Sequence, residues 1–194
     1  MSERFDIIVI GSGASGLSVA LGAAGARVAV VTRGVLGLDG ASCWAQGGIA
    51  AAIGPGDSTA QHALDTLNSG ARLNQRSATR WLAESAPELI DWLTQLGVHF
   101  DRIQGRLALA REAQHNFPRV AHAGGDATGA ELMRSLREAV ARRPNLVLHE
   151  FTEALRLRKR GARVVGVRVR DARGLEADLL APHVVLATGG LGQL

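Results

Sequence analysis

Between Ala110 and Gly129 the sequence reads Ala-Arg-Glu-Ala-Gln-His-Asn-Phe-Pro-Arg-Val-Ala-His-Ala-Gly-Gly-Asp-Ala-Thr-Gly, placing Glu112, His115, His122 and Asp126 close together. Carboxylates and imidazoles at this density suit three roles: metal ligation, proton transfer, or a hydrogen-bonded loop with no chemistry. Metal ligation is the weakest, because the spacing matches no common ligand pattern and the single cysteine, Cys43, makes a cysteine-based zinc site implausible. No metal is therefore expected. Asp126 better suits fixing the turn before Thr128 than chemistry. For Glu112 and His115, local spacing leaves acid–base work and a plain polar loop both open.

A second candidate stands near the N-terminus, where Gly11-Ser12-Gly13-Ala14-Ser15-Gly16 has the spacing Gly-x-Gly-x-x-Gly. Before it, Phe5 to Ile10 is short, apolar and β-branched, which predicts a buried parallel strand. After it, Leu17 to Gly25 predicts a helix and Arg27 to Thr32 a second strand. Within such a βαβ unit Gly11 permits the tight turn, Gly13 lets the backbone approach a pyrophosphate, and Gly16 allows close helix–strand contact. The helix N-terminus then receives the anion. The second strand ends Val31-Thr32-Arg33-Gly34, without the acidic residue that usually bonds an adenosine ribose. Arg33 suits the 2′-phosphate of NADP or the adenosine of another dinucleotide, and composition does not decide between them.

The elements that must position these groups follow from periodicity. Gly34 to Gly56 is too glycine-rich for more than brief order. Ser58-Thr59-Ala60-Gln61 is a capping box opening a helix to about Asn68, with His62 and Asp65 as surface or inter-segment contacts. Two helical pieces, Ser77 to Glu84 and Ala86 to Leu96, are expected to join at Pro87 and stop at Gly97. Thr128-Gly129-Ala130-Glu131 reads as another capping box, before a helix that buries Leu132, Leu136 and Val140 with Met133 beside them. Asn145 to His149 predicts a strand. Glu153 to Arg158, Arg163 to Arg170 and Leu175 to Ala181 predict a meander turning at Gly161 and Gly174. Val165, Val167 and Val169 alternate there with Gly166, Arg168 and Arg170, so the basic run reads as one solvated face. His183 to Ala187 predicts a buried strand leading into Thr188-Gly189-Gly190. The fold class is α/β: Rossmann-like, with a parallel sheet, a three-stranded β-meander and inserted helices.

The 194 residues suit one domain, and 46% hydrophobic content is enough for a core. The net charge of +4 is carried by arginines scattered along the chain except between Arg156 and Arg170, so no nucleic-acid partner is expected. One cysteine excludes an intrachain disulfide and fits a reducing compartment. Met1-Ser2-Glu3-Arg4 does not look like a signal peptide, and no apolar run approaches the ~20 residues that span a bilayer. A cytoplasmic location without a membrane is the expectation. A buried strand and glycine loop running out at Leu194 suggest an N-terminal fragment of a longer protein.

Ser42-Cys43-Trp44-Ala45-Gln46-Gly47-Gly48-Ile49-Ala50-Ala51 carries a resemblance, joined by Gly11 to Gly16, His122 to Gly129 and Val185 to Gly190. In order, along all 194 residues, the chain resembles the succinate dehydrogenase/fumarate reductase flavoproteins, and among them the L-aspartate oxidases. The resemblance implies the N-terminal part of an FAD-binding domain, over residues 1–194, with the capping domain and C-terminal part outside this chain. It implies FAD-dependent oxidation of L-aspartate to iminoaspartate with oxygen or fumarate as acceptor. This would be the first step of NAD biosynthesis, with quinolinate synthase as the possible next partner.

The implied cofactor residues are Gly11, Ser12, Gly13, Ala14, Ser15 and Gly16, with Thr32 and Arg33 beside the adenosine ribose. Ala41, Ser42, Cys43, Trp44, Ala45, Gln46, Gly47 and Gly48 would wrap the flavin and its ribityl chain, Cys43 and Trp44 serving as contact and packing residues. Glu153 and Ala154 would reach the adenine side, and Thr188 and Gly189 would lie against the cofactor. Ala41 stands where covalently flavinylated relatives have histidine, which implies non-covalent FAD. Glu112 is the group implied to meet the substrate ammonium, a charge-assisted contact that succinate cannot offer. His115 is implied either to face substrate or flavin or to serve as a backbone-bonded loop histidine.

The family reads Arg-Glu-Gly-Gly-His where this chain has Arg111-Glu112-Ala113-Gln114-His115, so a left-handed residue there would be strained. The family's proton-accepting arginine falls beyond Leu194, and this chain alone is expected not to turn over aspartate. Two other readings stay open: a fumarate reductase- or succinate dehydrogenase-like flavoprotein, and a non-catalytic dinucleotide-binding module.

Overall fold

The computed structural model describes residues 2–71 and 73–190. The chain begins with β1 (Ser2–Arg4), β2 (Ile7–Ile10), α1 (Ala14–Gly22) and β3 (Val28–Val31), then a 3-10 turn at Ala41–Trp44. It continues with β4 (Ile49–Ala50), α2 (Thr59–Ser69), α3 (Arg76–Gln95), β5 (Arg102–Ile103), β6 (Arg106–Leu107), β7 (Leu109–Ala110) and β8 (Val120–Ala121). It closes with α4 (Thr128–Ala141), β9 (Leu146–His149), β10 (Glu153–Arg160), β11 (Arg163–Arg170), β12 (Glu176–Leu180) and β13 (His183–Leu186). The chain divides into two compact units, Met1–Trp44 with Met133–Leu194, and Ala45–Leu132. Among the described residues no helix is long and apolar enough to cross a membrane.

The first unit contains the expected parallel sheet, in the order β13-β2-β3-β9. Val28 to Val31 are all buried, which is why an unbroken apolar run, three of its four residues valine, appears there. The strand expected from Phe5 divides. Asp6 bends the chain by giving its N–H to Arg27 O while its carboxylate accepts the Arg27 N–H, so β2 starts at Ile7. Ahead of the bend, β1 joins a second sheet as the parallel neighbour of β12. β13 lies at the sheet edge with His183 and Leu186 exposed, not buried as expected, because an edge strand has a neighbour on one side only.

The meander β10-β11-β12 forms as expected, turning at Gly161 (φ +61°) and Gly174 (φ +82°). Val167, Val169 and Leu179 pack with Phe5, Ile8, Ala29 and Val31 into one core. The basic face is stitched across strands: Arg168 forks onto Asp178 at 2.7 and 2.9 Å, and Arg170 reaches Glu153 at 2.6 Å.

In the second unit β4-β8-β7 make a small antiparallel sheet, beside which β5 and β6 form a hairpin. Its core holds Ala51, Ile90, Leu93, Phe100, Ala121 and Ala123. α3 is one continuous helix through Pro87, which corrects the two-piece expectation. Ala83, Ala86, Ile90 and Leu93 form one buried stripe along it, and that burial outweighs the single backbone bond proline removes. Gly97, at φ +94°, follows the end of the helix as expected.

Ser58 caps α2 by accepting the Gln61 N–H at 3.1 Å, but the Gln61 amide goes to Asp65 and not back to Ser58. The second capping box does not form. Thr128 sits inside α4, and its hydroxyl takes the Ala123 N–H, while the Glu131 carboxylate takes the His99 N–H.

Candidate functional site

In the first unit the glycine turn meets the demands of a phosphate cradle. A Cβ on Gly11 would lie 2.1 Å from the Ala187 carbonyl oxygen, and one on Gly16 would lie 2.0 Å from that of Gly11. These two glycines are fixed by the protein's own packing. A Cβ on Gly13 would meet only Ser42 Oγ, at 3.1 Å. Gly13 is the N-cap of α1 and has no side chain with which to cap it, which suits a helix N-terminus that meets an anion. Ser42 Oγ accepts the Ala14 N–H, placing a hydroxyl at the same turn. The pyrophosphate of a dinucleotide fits this arrangement.

Around the cradle, several expected contact residues are spoken for. Ser12 donates to Thr32 Oγ1 at 2.9 Å and accepts the Gly37 N–H at 3.0 Å, so its hydroxyl braces the turn. Thr32 is buried, and Arg33 beside it is exposed. The Glu153 carboxylate is engaged by Arg170. Cys43 shares its S–H between Leu38 O and Gly40 O, and Trp44 is 80% exposed. Ala41, Thr188 and Gly189 are exposed, and Ala154 is half-buried. Glu150, which sequence reasoning passed over, takes the Leu36 N–H at 2.6 Å and pins the loop after β3.

In the second unit Ala45, Gln46 and Gly47 are exposed, and Ala45 O accepts the Gly129 N–H. Gly48 has a reason of its own: a Cβ there would stand 2.5 Å from the Ala121 carbonyl oxygen of β8.

Glu112 and His115 are the ends of one tight turn, closed by the His115 N–H on Glu112 O at 3.2 Å. Gln114, third in that turn, has φ +71°. This is the type II position where glycine is favoured. The Glu112 side chain is half exposed, with Oε1 at 3.5 Å from His122 Nε2.

Below the turn is a buried ion cluster that sequence reasoning missed. Arg119 is fully buried. Its Nε and Nη2 fork onto Asp57 at 2.9 and 2.8 Å, while Nη1 lies 3.0 Å from Asp65 Oδ2 and 3.3 Å from His115 Nδ1. Asp65 also accepts from Gln61 and from the backbone and side chain of Asn116. Burial opposes its charge, but the Asn116 and Gln61 donors and the Arg119 charge together hold Asp65 below the ordinary carboxylate range. His62, buried beside this cluster, is pushed down by desolvation and by Arg119. His62 and Asp65 are therefore interior groups joining segments, not surface ones. The Gly124-Gly125 turn is held by Asp101, whose two carboxylate oxygens take their N–H groups at 3.0 Å, while Asp126 is exposed.

The family model described as "FAD binding domain" matches residues 6–194. An L-aspartate oxidase of Streptomyces coelicolor is 46% identical, over 97% of this chain and 34% of that protein. One of Agrobacterium fabrum is 42% identical, over 100% and 37%. Among solved structures, the Mycobacterium smegmatis Sdh1 complex in the apo form is similar with a TM-score of 0.90 and 31% identity, over 98% of this chain and 35% of that one. The chain thus spans about a third of the length of these relatives. An E. coli quinol fumarate reductase shares the fold at a TM-score of 0.92 and 23% identity, over 99% of this chain and 34% of that one.

Proposed function

The chain belongs to the FAD binding domain family, and from that premise we propose that it is the N-terminal, flavin-binding portion of an L-aspartate oxidase. The observation that carries this reading is the Glu112 turn: a half-exposed carboxylate standing on a turn that is rooted in a buried ion cluster. A carboxylate so presented suits an α-ammonium group, and an amino acid has one where succinate has none.

FAD, when bound, supplies the two-electron acceptor for oxidation at the substrate Cα. The Gly13 backbone and the N-terminus of α1 would hold its pyrophosphate, with Thr32 and Arg33 on the adenosine side. Ala41 offers no nucleophilic ring, in keeping with non-covalent flavin. Gln46 and Gly47, both exposed, would make further contacts with it. The product would be iminoaspartate, with oxygen or fumarate as final acceptor, in the cytoplasm, ahead of a quinolinate-forming enzyme. Turnover belongs to the protein at the length of its relatives.

A visible spectrum of the purified protein before and after acid precipitation tests the cofactor: flavin bands should move to the supernatant. A colourless protein that takes up no FAD on titration would sink the reading. The likeness to the Sdh1 complex favours a second reading, a succinate-oxidising flavoprotein. Titration with L-aspartate and with succinate separates the two, since Glu112→Gln should weaken aspartate binding about tenfold, the worth of one charge-assisted hydrogen bond, and leave succinate unchanged.

A further inference from the structure

The Glu112 turn is anchored at its far end by His115 and Asn116, and both anchors run into the Arg119 cluster. The contact between Arg119 Nη1 and His115 Nδ1 is 3.3 Å. A guanidinium has donors and no acceptor, so Nδ1 must offer its lone pair and the ring proton must sit on Nε2. Arg119 cannot turn away to release the ring. Its other nitrogens are forked onto Asp57, the shared Nη1 is also held by Asp65, and the whole side chain is buried. The His62 ring closes the remaining side edge-on, at 5.7 Å between centroids.

We propose that His115 is the positioning residue of the Glu112 turn, held by Arg119 as the Nε2–H tautomer and thereby fixing where the Glu112 carboxylate stands. A histidine held this way is a tether at Nδ1 and a fixed donor at Nε2. Such a tether is needed here more than elsewhere. The turn carries Gln114 in a left-handed conformation, and a strained turn persists only when its surroundings hold it. The assignment of Glu112 to an ammonium group rests on the proposed function, whereas the tautomer and the tether do not require it.

Imidazole nitrogen NMR on the 194-residue chain with labelled histidine tests the proposal without flavin or substrate. His115 should show a single Nε2–H tautomer. Glu112→Gln should shift the His122 signals, since those two side chains are neighbours. His115→Asn keeps an acceptor oxygen where Nδ1 stands and should leave the His122 signals as in the parent. His115→Leu removes the acceptor and should move them to the Glu112→Gln position, while amide signals of α2 and β8 stay in place. A His115 seen as Nδ1–H or as a tautomer mixture would overturn the proposal, as would unchanged His122 signals in His115→Leu. If the leucine variant does not fold, the parent tautomer and the asparagine variant decide, and asparagine behaving like Glu112→Gln overturns the tether. Every readout here is taken without flavin or substrate, so its failure overturns the tether and leaves the aspartate reading standing, whereas failure of the flavin and aspartate titrations leaves the tautomer and the tether standing.

Discussion

Arg119 and Asp57 meet fork to fork with no solvent access to either side chain, Nε on Oδ2 at 2.9 Å and Nη2 on Oδ1 at 2.8 Å. Removing one member of such a pair strands a charge in the interior, which is far worse than removing both. Arg119→Ala should therefore destabilise the chain by about 3–5 kcal/mol. Urea denaturation measures it, and a loss below about 1 kcal/mol would show that water reaches the site and screens the pair.

Gln114 at φ +71° occupies the turn position that favours glycine. A left-handed residue other than glycine carries a penalty of about 1–2 kcal/mol, and glycine returns about 0.4–1 kcal/mol of that through the freer unfolded chain. Gln114→Gly should raise stability by up to about 1 kcal/mol. Ala113→Gly, outside the left-handed region, should lower it. Thermal melts of the two variants moving in the same direction would contradict this account.

The three glycines of the nucleotide turn should separate by experiment. Gly16→Ala drives a methyl into the Gly11 carbonyl and should destabilise the fold by about 1–3 kcal/mol or more. Gly13→Val meets only a serine hydroxyl on the protein side, so the fold should hold to within about 1 kcal/mol while FAD affinity falls at least about tenfold. Circular dichroism with flavin titration reads both. Equal damage to fold and flavin by the two changes would remove the distinction.

Burial lowers the affinity of His62 and His149 for protons below the ordinary histidine value of 6.5. Above that pH both states are neutral and stability is level. As the pH falls through 6.5 the unfolded chain gains protons first, so stability drops until the folded groups also titrate. Asp65 adds a second loss on further acidification: its folded affinity is depressed, so its contribution is present above 3.8 and fades as pH falls through the lower folded value. Urea midpoints taken from neutral to acid pH should show both stages. His62→Gln should shrink the first and leave the second.

What the sequence discloses here is whatever is local. The Gly11–Gly16 turn, the meander turns at Gly161 and Gly174, and the Ser58 cap each place their cause within a few residues of their effect. Pro87 misleads for the opposite reason: the proline is local, while the buried stripe that carries the helix through it is tertiary. β1 is three polar residues without periodicity and exists only because β12 lies alongside. Arg119 is the clearest case. Nothing near it marks it as interior, because the carboxylate that accepts its fork is 62 positions away. Glu112 and His115 stand out by type and spacing, but their relation as the two ends of one turn, one half exposed and one tethered, is visible only in three dimensions.

The separation between Arg119 and Asp57 also bears on the order of events in folding. Contacts between distant positions pay loop-closure entropy before they return anything, so this cluster belongs to the late, native side of the barrier. Until then the arginine and both aspartates remain hydrated, and nothing in the cluster speeds the search. Its contribution falls on the unfolding rate, and so the ion cluster beneath the Glu112 turn acts as a latch that sets how long the second unit stays closed once it has formed.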